Sequence, residues 1–137
     1  MLQRVFSVIV ILTAFILLTA MGGTGGLEQL PRVDKNYFVI ITDVSGTKIE
    51  GEKFSWEGRI YFAGNMGMAQ VTIPFDKVKE LMTTGERRDR FVRVTVRLVD
   101  GSETNFDIDA KSRCYGAAKF GNFILQLEEI KTIAFKR

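Results

Sequence analysis

The chain of 137 residues contains no histidine, one cysteine and two prolines. Without histidine there is no Ser-His-Asp or Cys-His arrangement, no His-ligated metal site and no c-type haem attachment. One thiol, Cys114, excludes an internal disulfide framework. It is expected as a small buried apolar residue, with an intermolecular disulfide as the sharper alternative. There is no GxxxxGK[ST] phosphate loop, and Gly64-Asn-Met-Gly67 and Gly121-Asn122 read as tight turns. Charge of one sign is scarce in excess: 19 basic against 16 acidic residues leave +3. That is too slight to point to nucleic acid. No cofactor is expected from this inventory.

What is present begins with an address. Arg4 precedes an apolar run from Val5 to Met21, interrupted only by Ser7, Thr13 and Thr19, and no acidic residue occurs before Glu28. This is the layout of a secretory signal peptide, with a small-residue site at Ala20-Met21-Gly22. The competing reading is an uncleaved anchor, since about 17 residues is the lower edge of what spans a bilayer. Gly22-Gly-Thr-Gly-Gly26 reads as a flexible spacer. The expected partition is 1–22 signal peptide or anchor, 23–36 linker, 37–83 first β repeat, 84–90 link, and 91–137 second β repeat. The expected place is the periplasm or the cell envelope of a bacterium.

The remainder is written twice. Gly64 to Leu81 aligns without a gap on Gly116 to Ile133, which places Phe75 on Leu127, Asp76 on Glu128 and Leu81 on Ile133. Val44-Ser-Gly46-Thr and Val99-Asp-Gly101-Ser precede the two copies. Strands are predicted at Tyr37 to Val44, Thr47 to Ser55, Arg59 to Ala63, Met68 to Ile73 and Lys79 to Thr83. In the second copy they fall at Phe91 to Val99, Thr104 to Asp109, Arg113 to Ala117, Asn122 to Leu125 and Ile130 to Lys136. A helical turn is expected before each closing strand. A unit of under 50 residues buries little of its surface, so the copies are expected to pack on each other or to oligomerise.

The hairpin of the second copy invites a register. Setting Val96 opposite Phe106 and Val94 opposite Ile108 buries one face and centres a three-residue loop on Gly101. The outer face then pairs Arg93 with Asp109, Thr95 with Asp107 and Arg97 with Asn105. Asp107 and Asp109 share a face, and the expectation is surface ion pairing rather than a catalytic acid pair or a calcium site.

Five strands with a one-turn helix before the fifth is the plan of SH3-like small barrels. The phrase Val71-Thr-Ile-Pro-Phe-Asp-Lys-Val-Lys-Glu-Leu81, with the upstream Asp43-Val-Ser-Gly46, resembles the closing segment of PRC-barrel domains. In the second copy Leu125-Gln-Leu-Glu-Glu-Ile130 lacks the proline. The resemblance implies a domain that binds partners and rarely catalyses. It carries over no functional residue.

The fold class expected is all-β, as two tandem SH3-like barrels or one fused β-sandwich. The function expected is an exported, non-enzymatic binding or assembly module of the cell envelope, acting on another envelope protein, with a homo-oligomer as a further option. The alternative is a surface-binding protein for an anionic glycan or membrane, using Arg87, Arg88, Arg90, Arg93 and Arg97. A hydrolase is the third class, disfavoured by the lack of a nucleophile–base pair. Trp56 is the candidate binding aromatic, pictured at the mouth of a barrel.

Overall fold

The computed structural model describes residues 29–137. The apolar run and residues 23–28 of the expected linker lie outside the described residues. Ten strands are present: β1 Val39–Asp43, β2 Lys48–Trp56, β3 Tyr61–Met66, β4 Ala69–Pro74 and β5 Val78–Arg88. Then follow β6 Phe91–Leu98, β7 Glu103–Asp109, β8 Arg113–Ala118, β9 Gly121–Gln126 and β10 Ile130–Phe135. One-turn 3-10 helices at Phe75–Lys77 and Leu127–Glu129 precede the closing strands β5 and β10. Alternation writes the clearest of these elements. In β6, Val92, Val94 and Val96 are buried while Arg93, Thr95 and Arg97 face out.

All ten strands join one curled antiparallel sheet, an open half-barrel in the order β4-β3-β7-β6-β5-β10-β1-β2-β8-β9. The strands of the two halves interleave, which replaces the expected separate tandem barrels. Hairpin β3–β4 attaches to β7 of the second half, and hairpin β8–β9 attaches to β2 of the first. Advancing every label of the first half by five, and moving the second half back by five, returns the same order read backwards. Leu81 and Ile133, aligned in the sequence, are direct partners across β5 and β10. They mark the axis of that twofold correspondence. A single buried cluster takes side chains from both halves, with Phe54, Phe62, Phe75, Leu81, Val94, Phe106, Ile108 and Ile133 all nearly inaccessible.

From β3 and β8 onward, corresponding residues stand 52 positions apart, as do the bounds of β3 and β8, of β4 and β9, and of the two 3-10 turns. In the first hairpin of each half the spacing is 55. Gly46 and Gly101 have φ of 90° and 91°. Val44 donates to the Glu129 carbonyl and Val99 to the Lys77 carbonyl, both at 2.9 Å.

Two local readings are corrected. The polar stretch 84–90 is not a link but the far end of hairpin β5–β6, with Arg87 opposite Val92 and Arg88 opposite Phe91. Polar sequence reads as a loop, yet here it forms strand with both faces in solvent. The β6–β7 register is two residues from the one expected: Arg93 opposes Asp107, Thr95 opposes Asn105 and Arg97 opposes Glu103. The loop has three residues, but Gly101 is its last and not its centre: Leu98 and Ser102 close it. Glycine supplies the left-handed position that ends such a loop, so centring on it moves the register.

Candidate functional site

The two ends of the sheet are β4 and β9, and an end strand directs half of its backbone groups away from the sheet. Leu127 donates to the Ser112 carbonyl at 2.8 Å. Antiparallel ladders alternate, so the Leu125 and Phe123 backbones turn toward β8 and that of Ile124 turns outward. β9 contains no charged residue and no proline. Phe123 is buried and Ile124 half-buried on the other face. At β4, Phe75 donates to the Ile60 carbonyl at 3.0 Å, which turns Thr72 and Pro74 outward by the same alternation.

Pro74 and Gln126 meet the same demand differently. Each begins a 3-10 turn with its nitrogen directed outward. Proline has no N–H to satisfy. The Gln126 N–H donates to Glu129 Oε1 at 2.9 Å, within a reciprocal capping box.

Over β1, β2 and the end of β8, one strand in from β9, lies a groove of about 290 Å³. Gly51, Ala117 and Ala118 leave it room, Phe38 adds an exposed ring, and Glu50, Glu52, Lys119 and Lys136 add charges. A bulge in β2 adjoins it, where Lys53 takes φ 52° and the β2–β8 register shifts. The Lys53 N–H donates to Asn36 Oδ1 at 2.6 Å, which ties residue 36 to the sheet. Phe120, at the tip of hairpin β8–β9, is 75% exposed. Its counterpart Met68, at the tip of β3–β4, is fully exposed.

The corresponding region of the second half is also a cleft, of about 280 Å³, and every residue that lines it is charged. Glu86, Arg87, Arg88, Arg93 and Asp107 line it. Arg93 occupies the position of Phe38, and Asp107 that of Glu52. The arginine stretch expected from the sequence is thus gathered around one hairpin, but most of it is engaged. Arg87 reaches Glu128 at 3.1 Å, Arg90 reaches Asp109 at 3.8 Å, and Arg93 reaches Asp107 at 3.1 Å. Arg97 lies between Glu103 at 3.3 Å and Glu80 at 3.8 Å. Among the described residues Arg88 makes no ion pair. The hydrogen bond to Asp107 raises the Arg93 pKa further above its ordinary value.

Two carboxylates at corresponding positions each bridge two groups. Asp76 accepts from Lys35 Nζ at 2.7 Å and from the Tyr37 hydroxyl at 2.8 Å. Glu128 accepts from Lys111 Nζ at 2.8 Å and from Arg87 at 3.1 Å. The hydrogen bond from Lys35, then that from Tyr37, holds Asp76 below the usual carboxylate range. The hydrogen bond from Lys111, then that from Arg87, does the same for Glu128.

Trp56 is not at a mouth. It is 2% exposed and packs edge-on against Phe62, with ring centroids 5.2 Å apart. Aromatic content alone does not separate a core ring from a binding ring. Cys114 is fully buried, and burial pushes its thiol up to about 12. Among the described residues no group of three or more Cys, Asp or Glu could hold a metal ion, and no helix is long and apolar enough to cross a membrane. Which strands end the sheet, and the groove beside β8, were not identified by sequence reasoning. The spacing of 55 in the first hairpins, read as a three-residue insertion, is the signal that would have set Phe38 and Arg93 side by side for comparison.

Residues 33–137 match a family model described as "Uncharacterised protein". A curated relative from Aquifex aeolicus (strain VF5), described as "Uncharacterized protein", is 26% identical over 103 residues. That alignment covers 75% of this chain and 77% of the relative. No solved structure matches. The chain belongs to the family whose model spans residues 33–137.

Proposed function

We propose that this family member is an exported, non-enzymatic module of the bacterial cell envelope that binds another protein by strand addition at β9. One observation carries the reading: an end strand with neither charge nor proline directs backbone groups outward, and its neighbour β8 shares a groove with β1 and β2. Natural sheets guard such edges with lysine, proline or a cover. Among the described residues β9 carries no lysine or proline, so the outward backbone of Ile124 offers main-chain hydrogen bonds to an incoming strand, and the groove next to β8 selects its side chains. The sequence history we infer is duplication of a five-stranded unit, which accounts for the twofold order of the strands. A non-enzymatic role is consistent with the absence of histidine and with the burial of the single thiol. The alternative, an anionic glycan or membrane held by the arginine stretch, has less support. Four of its five arginines are already engaged with carboxylates.

The test is photo-crosslinking in intact native cells from Tyr115, on the outer face of β8 beside Ile124. The expected result is a discrete protein adduct that disappears when Ile124→Pro is added. That substitution removes an outward N–H and leaves the β8 ladder intact, so the thermal transition should persist. A folded protein that yields no protein adduct from Tyr115 refutes strand addition. Adducts only to lipid or polysaccharide would transfer the proposal to the surface-binding alternative.

A further inference from the structure

The two halves meet through nearly all of the core, yet a two-residue loop is all that joins them. Neither half can close on itself. β2 of the first half pairs with β8 of the second, and β3 of the first pairs with β7 of the second. The central rungs, Leu81 with Ile133 and Met82 with Thr132, also cross between halves. A surface of this kind fits one other object closely, which is the same half of an identical chain. We infer that the partner it takes is a second copy of this chain, by reciprocal exchange of halves that opens the β5–β6 turn.

The turn is built to open. Thr84, Gly85 and Glu86 of β5 together stand against Arg93 alone, so the tip is separated from the body of the hairpin by a bulge. Residues 84–90 are exposed and bury no apolar side chain. Asp89, the first loop residue, has φ 55°. Two-residue hairpin loops favour glycine there, and a side chain is strained. Arg87 and Arg90 reach out of the turn to Glu128 and Asp109, so neither ion pair holds its two arms together. Opening gives up the two rungs at Arg87 and Arg88. Every other rung between halves re-forms with the second copy, including the ion pair of Arg87 with Glu128. Short, strained hinge loops are the usual origin of such exchange.

The experiment uses the full chain in mild detergent. Met82 and Thr132 are direct partners on the outer face, and the buried Cys114 thiol does not compete. Met82→Cys chains are mixed with Thr132→Cys chains, unfolded, refolded together at high concentration and oxidised. Exchange predicts a disulfide-linked species of two different chains, well above either homodimer. It also predicts that Asp89→Gly, which relieves the turn, lowers the yield several-fold. The double variant Met82→Cys/Thr132→Cys shows that the disulfide can form within one chain. The inference is overturned if that double variant oxidises while the mixed chains remain unlinked. It is equally overturned if light scattering shows monomer at every concentration, or a dimer that Asp89→Gly does not change. Ile124→Pro leaves the exchange dimer intact, which separates this inference from strand addition at β9.

Discussion

At several corresponding core positions the first half has an aromatic ring where the second has an aliphatic side chain or a thiol. Phe62 corresponds to Cys114, Phe75 to Leu127, and Tyr37 to Val92. Phe75 touches the rings of Tyr37, Phe54, Phe62 and Phe135 with centroids between 4.9 and 5.3 Å. Leu127 is equally buried at the corresponding position, with an aliphatic side chain in place of the ring. The outer surfaces diverge too, with a groove of mixed apolar and charged lining at Phe38 and an all-charged cleft at Arg93. What stays constant is the backbone: the turns at Gly46 and Gly101, the 3-10 corners and the tight position shared by Gly64 and Gly116. A sheet with this topology tolerates exchange of side-chain chemistry at a position, provided that volume and hydrogen bonds are satisfied nearby.

That contrast can be broken most forcefully at Phe75. Phe75→Ala is expected to cost about 3–5 kcal/mol, and Leu127→Ala to fall in the lower part of about 2–5 kcal/mol. The difference reflects ring–ring contacts worth roughly 0.5–1.5 kcal/mol each beyond area burial. Urea melts followed by the emission of buried Trp56 measure both. Equal losses would mean that the aromatic end has no special role.

Next come Gly64 and Gly116, which correspond. A Cβ at Gly64 would strike the Asp107 carbonyl and the Phe106 ring, and one at Gly116 would strike the Phe123 ring. Both alanine variants are overpacked, at about 1–3 kcal/mol. Gly64→Ala should be the worse, because a main-chain oxygen cannot swing aside as a ring can. Phe123→Leu should rescue Gly116→Ala in part. The sign of that coupling in a double-mutant cycle is the readout.

A smaller effect separates Asp76 from Glu128. Both are depressed in the folded state, so their stabilisation is present above the ordinary carboxylate pKa and is lost as pH falls through the folded value. Asp76→Asn and Glu128→Gln should each flatten the acid limb of a stability–pH curve. Glu128 faces two cations, whereas Asp76 faces one cation and a neutral hydroxyl. Added salt should therefore shrink the Glu128→Gln effect more than the Asp76→Asn effect. Identical salt dependence would contradict the assigned partners.

The smallest effect is expected at Arg93 with Asp107, a half-exposed pair. Asp107→Asn should move the thermal midpoint by no more than an ordinary surface substitution does. A large loss would place that cleft in a functional role that its neutralised charges do not suggest.

The strand pattern was legible because β6 and β7 alternate strictly and both Gly turns fall between apolar runs. The matching bounds of β3 and β8 and of β4 and β9 were legible because the spacing of 52 is free of gaps. The pairing between halves was not. Which strand neighbours β3 depends on contacts far apart in sequence, and local alternation is the same whether β3 pairs with β2 or with β7. The groove was hidden for a related reason: Gly51, Ala117 and Ala118 carry no chemistry to notice until the sheet brings them together. Trp56 misled because its composition signal is identical in a core and in a binding face. Residues 84–90 misled because solvent on both sides of a hairpin removes the apolar period that announces a strand.

Cys114 fills the place of a phenyl ring, under the sheet and out of solvent's reach. A thiol that ionises only near pH 12 is almost never a thiolate while the fold stands. A thiol reagent therefore reaches it only when the fold opens, so its labelling rate would report how often this chain does so.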